Sequence, residues 1–122
     1  ALKRAEKLQL RAARVGFDWP NVAPVMDKLR EETVELQTEI DTNGSGARLT
    51  DELGDLLFVC VNLARKLNID AETALRGANA KFESRFRHME GSIKDQGEAM
   101  KDMHLGAMED AWQATKRSLT SQ

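Results

Sequence analysis

Two acidic segments have a spacing that could support metal chemistry. The first is EETVE at residues 31–35 and the second is ELGD at residues 52–55. Both fall in stretches that predict helix, where each residue advances about 100° around the axis. In each segment, two carboxylates spaced i,i+3 lie on the same shoulder of the apolar stripe, whereas Glu31 points away. The four carboxylates on these shoulders are Glu32, Glu35, Glu52 and Asp55.

If the two helices pack together, these carboxylates meet at one half-buried place. They would repel each other and lose hydration, so a cation would have to neutralise them. Oxygen ligands without histidine or cysteine favour Mg²⁺, with Mn²⁺ able to substitute. The alternative is an ordinary solvated acidic face. The Glu-x-x-His pattern of di-iron bundles is absent from these segments.

A basic pair follows on the predicted fourth helix. Lys81 and Arg85, spaced i,i+4, flank its apolar stripe, and Asn79 lies within that stripe. The pair could hold phosphate oxygens, or it could be surface charge lying along apolar neighbours. The sequence has no Walker-type or GxGxxG loop, so phosphate binding here would depend on a metal and on Lys and Arg side chains.

The elements that position these residues are helices. Prolines are few, tyrosine is absent, and Ala, Leu, Glu, Lys and Arg are abundant, which favours helix. Gly, Pro and Asn divide the chain, and short connections favour an antiparallel, four-helix-bundle-like fold with a short extra C-terminal helix. The helices are predicted at about residues 1–15, 21–41, 48–67, 70–90 (ended by Gly91) and 105–119.

The third helix is apolar on nearly all sides. Phe58 and Val61 lie roughly opposite its main stripe, which predicts both a central helix and a subunit interface. Cys60 lies within the main stripe and is expected to be a buried structural thiol. The main stripe comprises Leu49, Leu53, Leu56, Cys60, Leu63 and Leu67.

Length and charge restrict the class of protein. The 122 residues predict a single domain, residues 1–122, and the net charge of −2 argues against a general nucleic-acid binder. No apolar run approaches the roughly 18 residues of a membrane span, and the charged N-terminal segment does not look like a signal peptide. We therefore expect a cytoplasmic protein with no membrane partner.

The ordered motifs resemble a known family. The two acidic segments match the EExxE…ExxD signature of the all-α nucleoside triphosphate pyrophosphohydrolases, and the likeness is strongest to the MazG family, particularly the second, catalytic half of tandem MazG proteins. The resemblance covers nearly the whole chain. The supporting strings are VGFDW at residues 15–19, VNLAR at 61–65, ANAKFESRFR at 78–87, and Met108-Glu109 followed by Trp112.

This resemblance implies Mg²⁺-dependent hydrolysis of a nucleoside triphosphate to the monophosphate and pyrophosphate. It also implies a homodimer and, since Ala1 is not an initiator methionine, one domain of a longer protein. Arg48 stands where the family commonly has lysine. The catalytic metal ligands would be Glu32, Glu35, Glu52 and Asp55. The nucleotide-binding residues would be Lys28, Glu31, Arg48, Asn79, Lys81, Arg85, Glu109 and Trp112.

Three other interpretations stay open. Dimeric dUTPases and phosphoribosyl-ATP pyrophosphohydrolases resemble this chain in fold and acidic motif, and substrate competition would distinguish them. A non-catalytic helical dimerisation module is the third, and it should bind no Mg²⁺ at this position.

Overall fold

The computed structural model describes residues 1–120, and the part it describes is helical, with no strand. The predicted all-α class is therefore confirmed. A short 3-10 helix, Met100–Asp102, precedes the last α-helix. The α-helices are α1 (Leu2–Arg14), α2 (Val22–Asp41), α3 (Gly46–Lys66), α4 (Ala71–Asp95) and α5 (Leu105–Thr120).

Side-chain caps fix the starts of the two helices that carry the acidic segments. The Asn21 side chain accepts a hydrogen bond from the Ala23 N–H at 3.1 Å, so α2 begins where the sequence predicts. Ser45 accepts from the Arg48 N–H at 3.2 Å. This second cap starts α3 at Gly46, two residues before the predicted start, because a serine oxygen satisfies an N–H of the first turn.

The predicted end of the fourth helix at Gly91 is wrong, because α4 continues to Asp95. A glycine inside a helix costs only about 1 kcal/mol. Burial of Ile93, one half-turn beyond it, offsets that cost. The chain leaves the helix just before Gly97, whose φ of +79° lies in the left-handed region that glycine adopts readily.

The structure divides into two compact units, Ala1–Ala74 and the part that begins at Leu75. In the first unit, α3 packs against both α1 and α2. The buried apolar side chains of this unit are Val25 of α2 and Val59 and Val61 of α3. In the second unit, Met89 and Ile93 of α4 are buried.

The predicted main stripe of α3 is not its buried face. Leu53 and Cys60 are exposed, whereas Val61, predicted on the opposite side, is buried. Val59 and Val61 lie about 200° apart around the helix, so α3 is covered on two sides. Because the helix is apolar nearly all round, periodicity alone could not show which sides those are.

Among residues 1–120, no helix is both long enough and apolar enough to span a bilayer.

Candidate metal centre and adjoining pocket

Carboxylates from both acidic segments meet where α2 packs on α3. Glu32 of α2 and Glu52 and Asp55 of α3 each place one carboxylate oxygen so that the three oxygens lie within 4.8 Å of one another. We call these three residues the carboxylate cluster. The i,i+3 spacing on α3 puts both of its members on the side that faces α2, as the helical-wheel argument expects.

Glu32 is the most buried member of the cluster, with 5% of its surface exposed. One of its oxygens lies 3.2 Å from the Lys28 ammonium, one helical turn earlier. Its Oε2 is buried and has no hydrogen-bond partner anywhere in residues 1–120. Hydrogen bonds to Glu31 and then to Glu32 raise the pKa of Lys28, which keeps this ammonium charged beside the cluster.

Glu52 also carries an unsatisfied oxygen. Its Oε2 is buried, and the described chain offers it no hydrogen-bond partner. Burial raises the pKa of Glu52, and the negative charges of Glu35, Asp55 and Glu32 raise it further. The cluster therefore holds more negative charge than Lys28 alone can balance.

These properties fit a hard divalent cation. All donors are carboxylate oxygens, two of them are buried without partners, and their mutual repulsion would be relieved by a positive charge. A polar atom buried without a partner costs about 1–3 kcal/mol. A bound cation would offset this cost, because it would supply the interaction that the two buried oxygens lack.

The remaining predicted residues of the first unit stand outside this cluster. Glu35 is exposed and stands outside the three-residue group, although its charge acts on Glu52. Glu31 is exposed and accepts a hydrogen bond from Lys28 at 3.1 Å. Arg48 is exposed, with its guanidinium 3.5 Å from a Glu39 carboxylate oxygen.

The other predicted nucleotide contacts belong to the second unit. Lys81 and Glu109 are exposed, and Arg85 is half-buried. Trp112 is half-buried, and its ring centroid lies 5.4 Å from that of Phe82. Asn79, which shares the apolar stripe of α4, is exposed. This part of the stripe is itself largely exposed, as Leu75 and Phe82 show.

A pocket of about 580 Å³ adjoins the cluster in the first unit. Glu32, Asp55 and Lys28 belong to its lining, together with residues of α1, of the loop between α1 and α2, and of the second half of α3. Sequence reasoning assigned no role to four polar residues of this lining, although three of them lie in the strings VGFDW and VNLAR. They are Gln9, Asp18, Asn62 and Arg65.

One side of the pocket is fixed by a second charged group, which we call the loop cluster: Asp18, Arg65 and Lys66. Arg65 donates to both Asp18 oxygens, at 3.0 Å for Nη1, and Lys66 donates at 2.7 Å. The Trp19 N–H also donates to Asp18, at 2.9 Å. Hydrogen bonds from Arg65 and then Lys66 hold the pKa of Asp18 well below its usual range. These contacts tie the loop between α1 and α2 to the end of α3.

Comparisons with known proteins place this geometry in context. The MazG nucleotide pyrophosphohydrolase domain matches residues 21–90, which contain both acidic segments. The chain is 48% identical over 118 residues to the nucleoside triphosphate pyrophosphohydrolase of Escherichia coli K12, covering 96% of this chain and 45% of that protein. It is 40% identical over 116 residues to the nucleoside triphosphate pyrophosphohydrolase/pyrophosphatase MazG of Thermotoga maritima, covering 95% and 44%.

The chain thus spans less than half the length of these two relatives. A shorter match, 40% identity over 70 residues, joins it to the uncharacterized protein YabN of Bacillus subtilis, of which it covers 14%. The domain match takes in more than half of the chain, including every member of the carboxylate cluster. The chain belongs to the MazG nucleotide pyrophosphohydrolase family.

Proposed function

We propose that this chain hydrolyses nucleoside triphosphates to the monophosphate and pyrophosphate, with Mg²⁺ as its cofactor. The observation that carries the proposal is the carboxylate cluster, whose buried oxygens lack partners, at the edge of a pocket large enough for a nucleotide. The printed names of the Escherichia coli and Thermotoga maritima relatives support the reaction class.

The carboxylate cluster, together with Glu35, would hold the cation. Mg²⁺ bound there would neutralise phosphate charge and increase the acidity of a water molecule. Mn²⁺ could substitute because it takes the same oxygen ligands.

The chain's own groups supply the remaining chemistry. A carboxylate oxygen of the site takes the proton from the attacking water. The Lys28 ammonium, 3.2 Å from Glu32, is a fixed positive charge for a phosphate oxygen. Attack on the α-phosphorus breaks the bond to the bridging oxygen, and pyrophosphate leaves with that oxygen.

The nucleotide contacts that resemblance implies in the second unit remain part of the proposal. They are Asn79, Lys81, Arg85, Glu109 and Trp112. Lys81 and Arg85 are tested together as a double alanine variant. We expect a higher KM with little change in kcat, because removing charges that bind ground state and transition state equally weakens binding alone. Unchanged activity at limiting substrate in the folded variant would contradict the assignment.

We also propose a homodimer. Leu53, Leu57 and Cys60 follow one another at i, i+4 and i+7 on α3, and all three are exposed. Such an apolar stripe is typical of a helix that packs against a partner. Light scattering during gel filtration, with Leu53→Glu as the disrupting variant, tests the dimer. The single domain, the cytoplasmic location and the absence of nucleic-acid partners stay predictions.

The decisive experiment is product analysis. The protein is incubated with a mixed set of ribo- and deoxyribonucleoside triphosphates, with Mg²⁺ and separately with chelator, and Glu52→Gln serves as the matched inactive control. We expect monophosphate and pyrophosphate with Mg²⁺ and neither product with chelator.

The other interpretations are outcomes of the same assay. A strong preference for dUTP would identify a dUTPase. If phosphoribosyl-ATP is included among the substrates, its turnover alone would identify a phosphoribosyl-ATP pyrophosphohydrolase. Diphosphate with orthophosphate would contradict the reaction class. No turnover and no Mg²⁺ binding by folded protein would favour a dimerisation module.

A further inference from the structure

The hairpin of α2 and α3 has a third pair of charged residues beyond the acidic ones. Three pairs are equally distant in sequence from the middle of the connection at residues 42–45, and in an antiparallel pair of helices each such pair lies at one level. They are Glu32 with Asp55, Glu35 with Glu52, and Glu39 with Arg48. The first two levels bring acid to acid. The third, nearest the loop, is an ion pair, in which Arg48 Nη1 lies 3.5 Å from Glu39 Oε1.

Glu39 is fixed in place by the backbone of the loop. Its side chain is 18% exposed, against 73% for Arg48, and its main-chain carbonyl accepts a hydrogen bond from the Gly44 N–H at 2.7 Å. A Cβ atom on Gly44 would overlap Glu39 Oε2, so the glycine makes room for the carboxylate. Oε2 is buried, with no hydrogen-bond partner in the described chain. The loop thus holds one oxygen of Glu39, and the other oxygen faces Arg48.

This arrangement contributes little to the stability of the fold. A buried carboxylate oxygen without a partner is unfavourable, and an ion pair with an exposed guanidinium offsets little of that cost. Its effect is on Arg48, a long side chain that loses freedom when one of its N–H groups is held, while the other N–H donors stay available. Arg48 precedes Glu52 by one helical turn, about 6 Å along α3. An anion bound at the carboxylate cluster through a cation is therefore within reach of those donors.

We propose that Glu39 is a positioning residue for Arg48. It holds the guanidinium at the loop end of the carboxylate cluster, where Arg48 binds phosphate oxygens of the substrate that the cation leaves free. The inference rests on the proposed function, which supplies the triphosphate, and on the nucleotide-binding role that the resemblance implies for Arg48. Glu39 itself touches neither substrate nor cation, and it lies outside both acidic segments, at residues 31–35 and 52–55.

The first test is a double-mutant cycle in steady-state kinetics with Mg²⁺ and the triphosphate that is hydrolysed fastest. Glu39→Gln, which keeps the size of the side chain but not its charge, should raise KM about threefold to fivefold with kcat within about twofold, the upper range for one exposed ion pair. Arg48→Met should raise KM about tenfold, through loss of a charged hydrogen-bond donor. The double variant should match Arg48→Met alone, because no guanidinium is left to position.

Gly44→Ala reaches the same carboxylate from the loop side. The new Cβ displaces the Glu39 carboxylate, so we expect the KM of Glu39→Gln without a change at Glu39 itself, and no further rise in an Arg48→Met background. The φ angle of Gly44 is not positive, so alanine strains no backbone there. Gly46→Ala is the matched control, because a Cβ at Gly46 meets nothing within 4 Å, and its KM should equal that of wild type. If Gly44→Ala fails to fold, the cycle of Glu39 and Arg48 still decides the question.

A second measurement does not depend on turnover. Calorimetric titration with inorganic pyrophosphate in the presence of Mg²⁺ measures anion binding by the same variants. We expect the Kd to rise about threefold to fivefold in Glu39→Gln and about tenfold in Arg48→Met. As in the kinetics, the double variant should match Arg48→Met.

The outcomes separate this inference from the hydrolysis. Wild-type KM and wild-type pyrophosphate binding in folded Glu39→Gln, or independent effects of Glu39 and Arg48 in the double variant, would overturn the positioning role and leave the reaction intact. A fall in kcat at constant KM would also overturn it, since Glu39 would then act on the chemical step. The expected cycle in pyrophosphate binding by a protein that hydrolyses nothing would support the positioning role and overturn the proposed reaction.

Discussion

The first unit contains two charged clusters that are built on opposite principles. In the loop cluster, one carboxylate meets two cations, and all three side chains are mostly buried, at 20%, 14% and 17% exposure for Asp18, Arg65 and Lys66. In the carboxylate cluster, three acids converge with one ammonium nearby, and two buried oxygens lack partners among the described residues.

This difference indicates that the loop cluster serves the stability of the fold and the carboxylate cluster serves the binding of an ion. The loop cluster is satisfied by the protein itself, so its contacts contribute to folding. The described chain leaves the carboxylate cluster unsatisfied, so we expect it to lower stability until a cation is bound, as is common at sites organised for a ligand. Changes to the two clusters should therefore have opposite signatures, one in stability and one in activity.

The largest expected effect is on turnover. Glu52→Gln should lower kcat/KM by at least about 100-fold, because removing a direct ligand costs no less than the 10- to 100-fold typical of groups that only orient ligands. Steady-state kinetics with Mg²⁺ measure it. Asp51→Asn, an exposed neighbour on the same helix, is the matched control and should stay within about twofold. Full activity of folded Glu52→Gln would contradict a catalytic role for the carboxylate cluster.

Mg²⁺ should stabilise the wild-type protein. At a concentration 100 times the Kd, binding to the native state alone adds about 2.7 kcal/mol to the free energy of unfolding. Chemical denaturation with and without Mg²⁺ measures this difference. Glu52→Gln should gain much less from Mg²⁺, and in chelator it should be at least as stable as wild type, since the repulsion is relieved. An equal gain in the free energy of unfolding of both proteins would show that Mg²⁺ binds outside the carboxylate cluster.

Asp18→Asn should destabilise the protein. It leaves two mostly buried cations without their partner, at a cost of about 2 kcal/mol. Urea unfolding in chelator measures the loss. Asp27→Asn is the control, because the pair of Asp27 with Arg30 is exposed and such pairs contribute about 0–1 kcal/mol. Similar losses in the two variants would show that the loop cluster is no more than a surface ion pair.

The smallest expected effect is the pH dependence of the difference in stability between wild type and Asp18→Asn. The native pKa of Asp18 is depressed, so its contribution is fully present above the unfolded value of about 4. It is lost as the pH falls through the native pKa. The stability advantage of wild type over Asp18→Asn should therefore shrink steadily below about pH 4. An advantage that is constant down to pH 2 would contradict the depressed pKa.

Local rules predicted much of this molecule. The cap at Asn21 and the i,i+3 carboxylates depend on a few neighbouring residues, so the start of α2 and the meeting of Glu32 with Glu52 and Asp55 could be anticipated. The end of α4 could not be anticipated, since the helix continues past Gly91 to a residue, Ile93, whose burial depends on packing that the local sequence does not show.

Features that depend on residues far apart in the sequence could not be predicted. Asp18 and Arg65 are 47 residues apart in sequence, and neither belongs to a motif that indicates the pairing. Gln9 reaches a backbone carbonyl 49 residues away, which no side-chain periodicity can show. The exposure of Cys60 could not be predicted either, because a helix that is apolar nearly all round has no single preferred buried face.

The short connection between α2 and α3 has a consequence for the order in which the protein folds. Only residues 42–45 separate the two helices that carry the carboxylate cluster, so closing this hairpin costs little chain entropy. Such local contacts form early compared with the pairing of Asp18 and Arg65. The ion site can thus be assembled on a helical hairpin before the pocket beside it is closed.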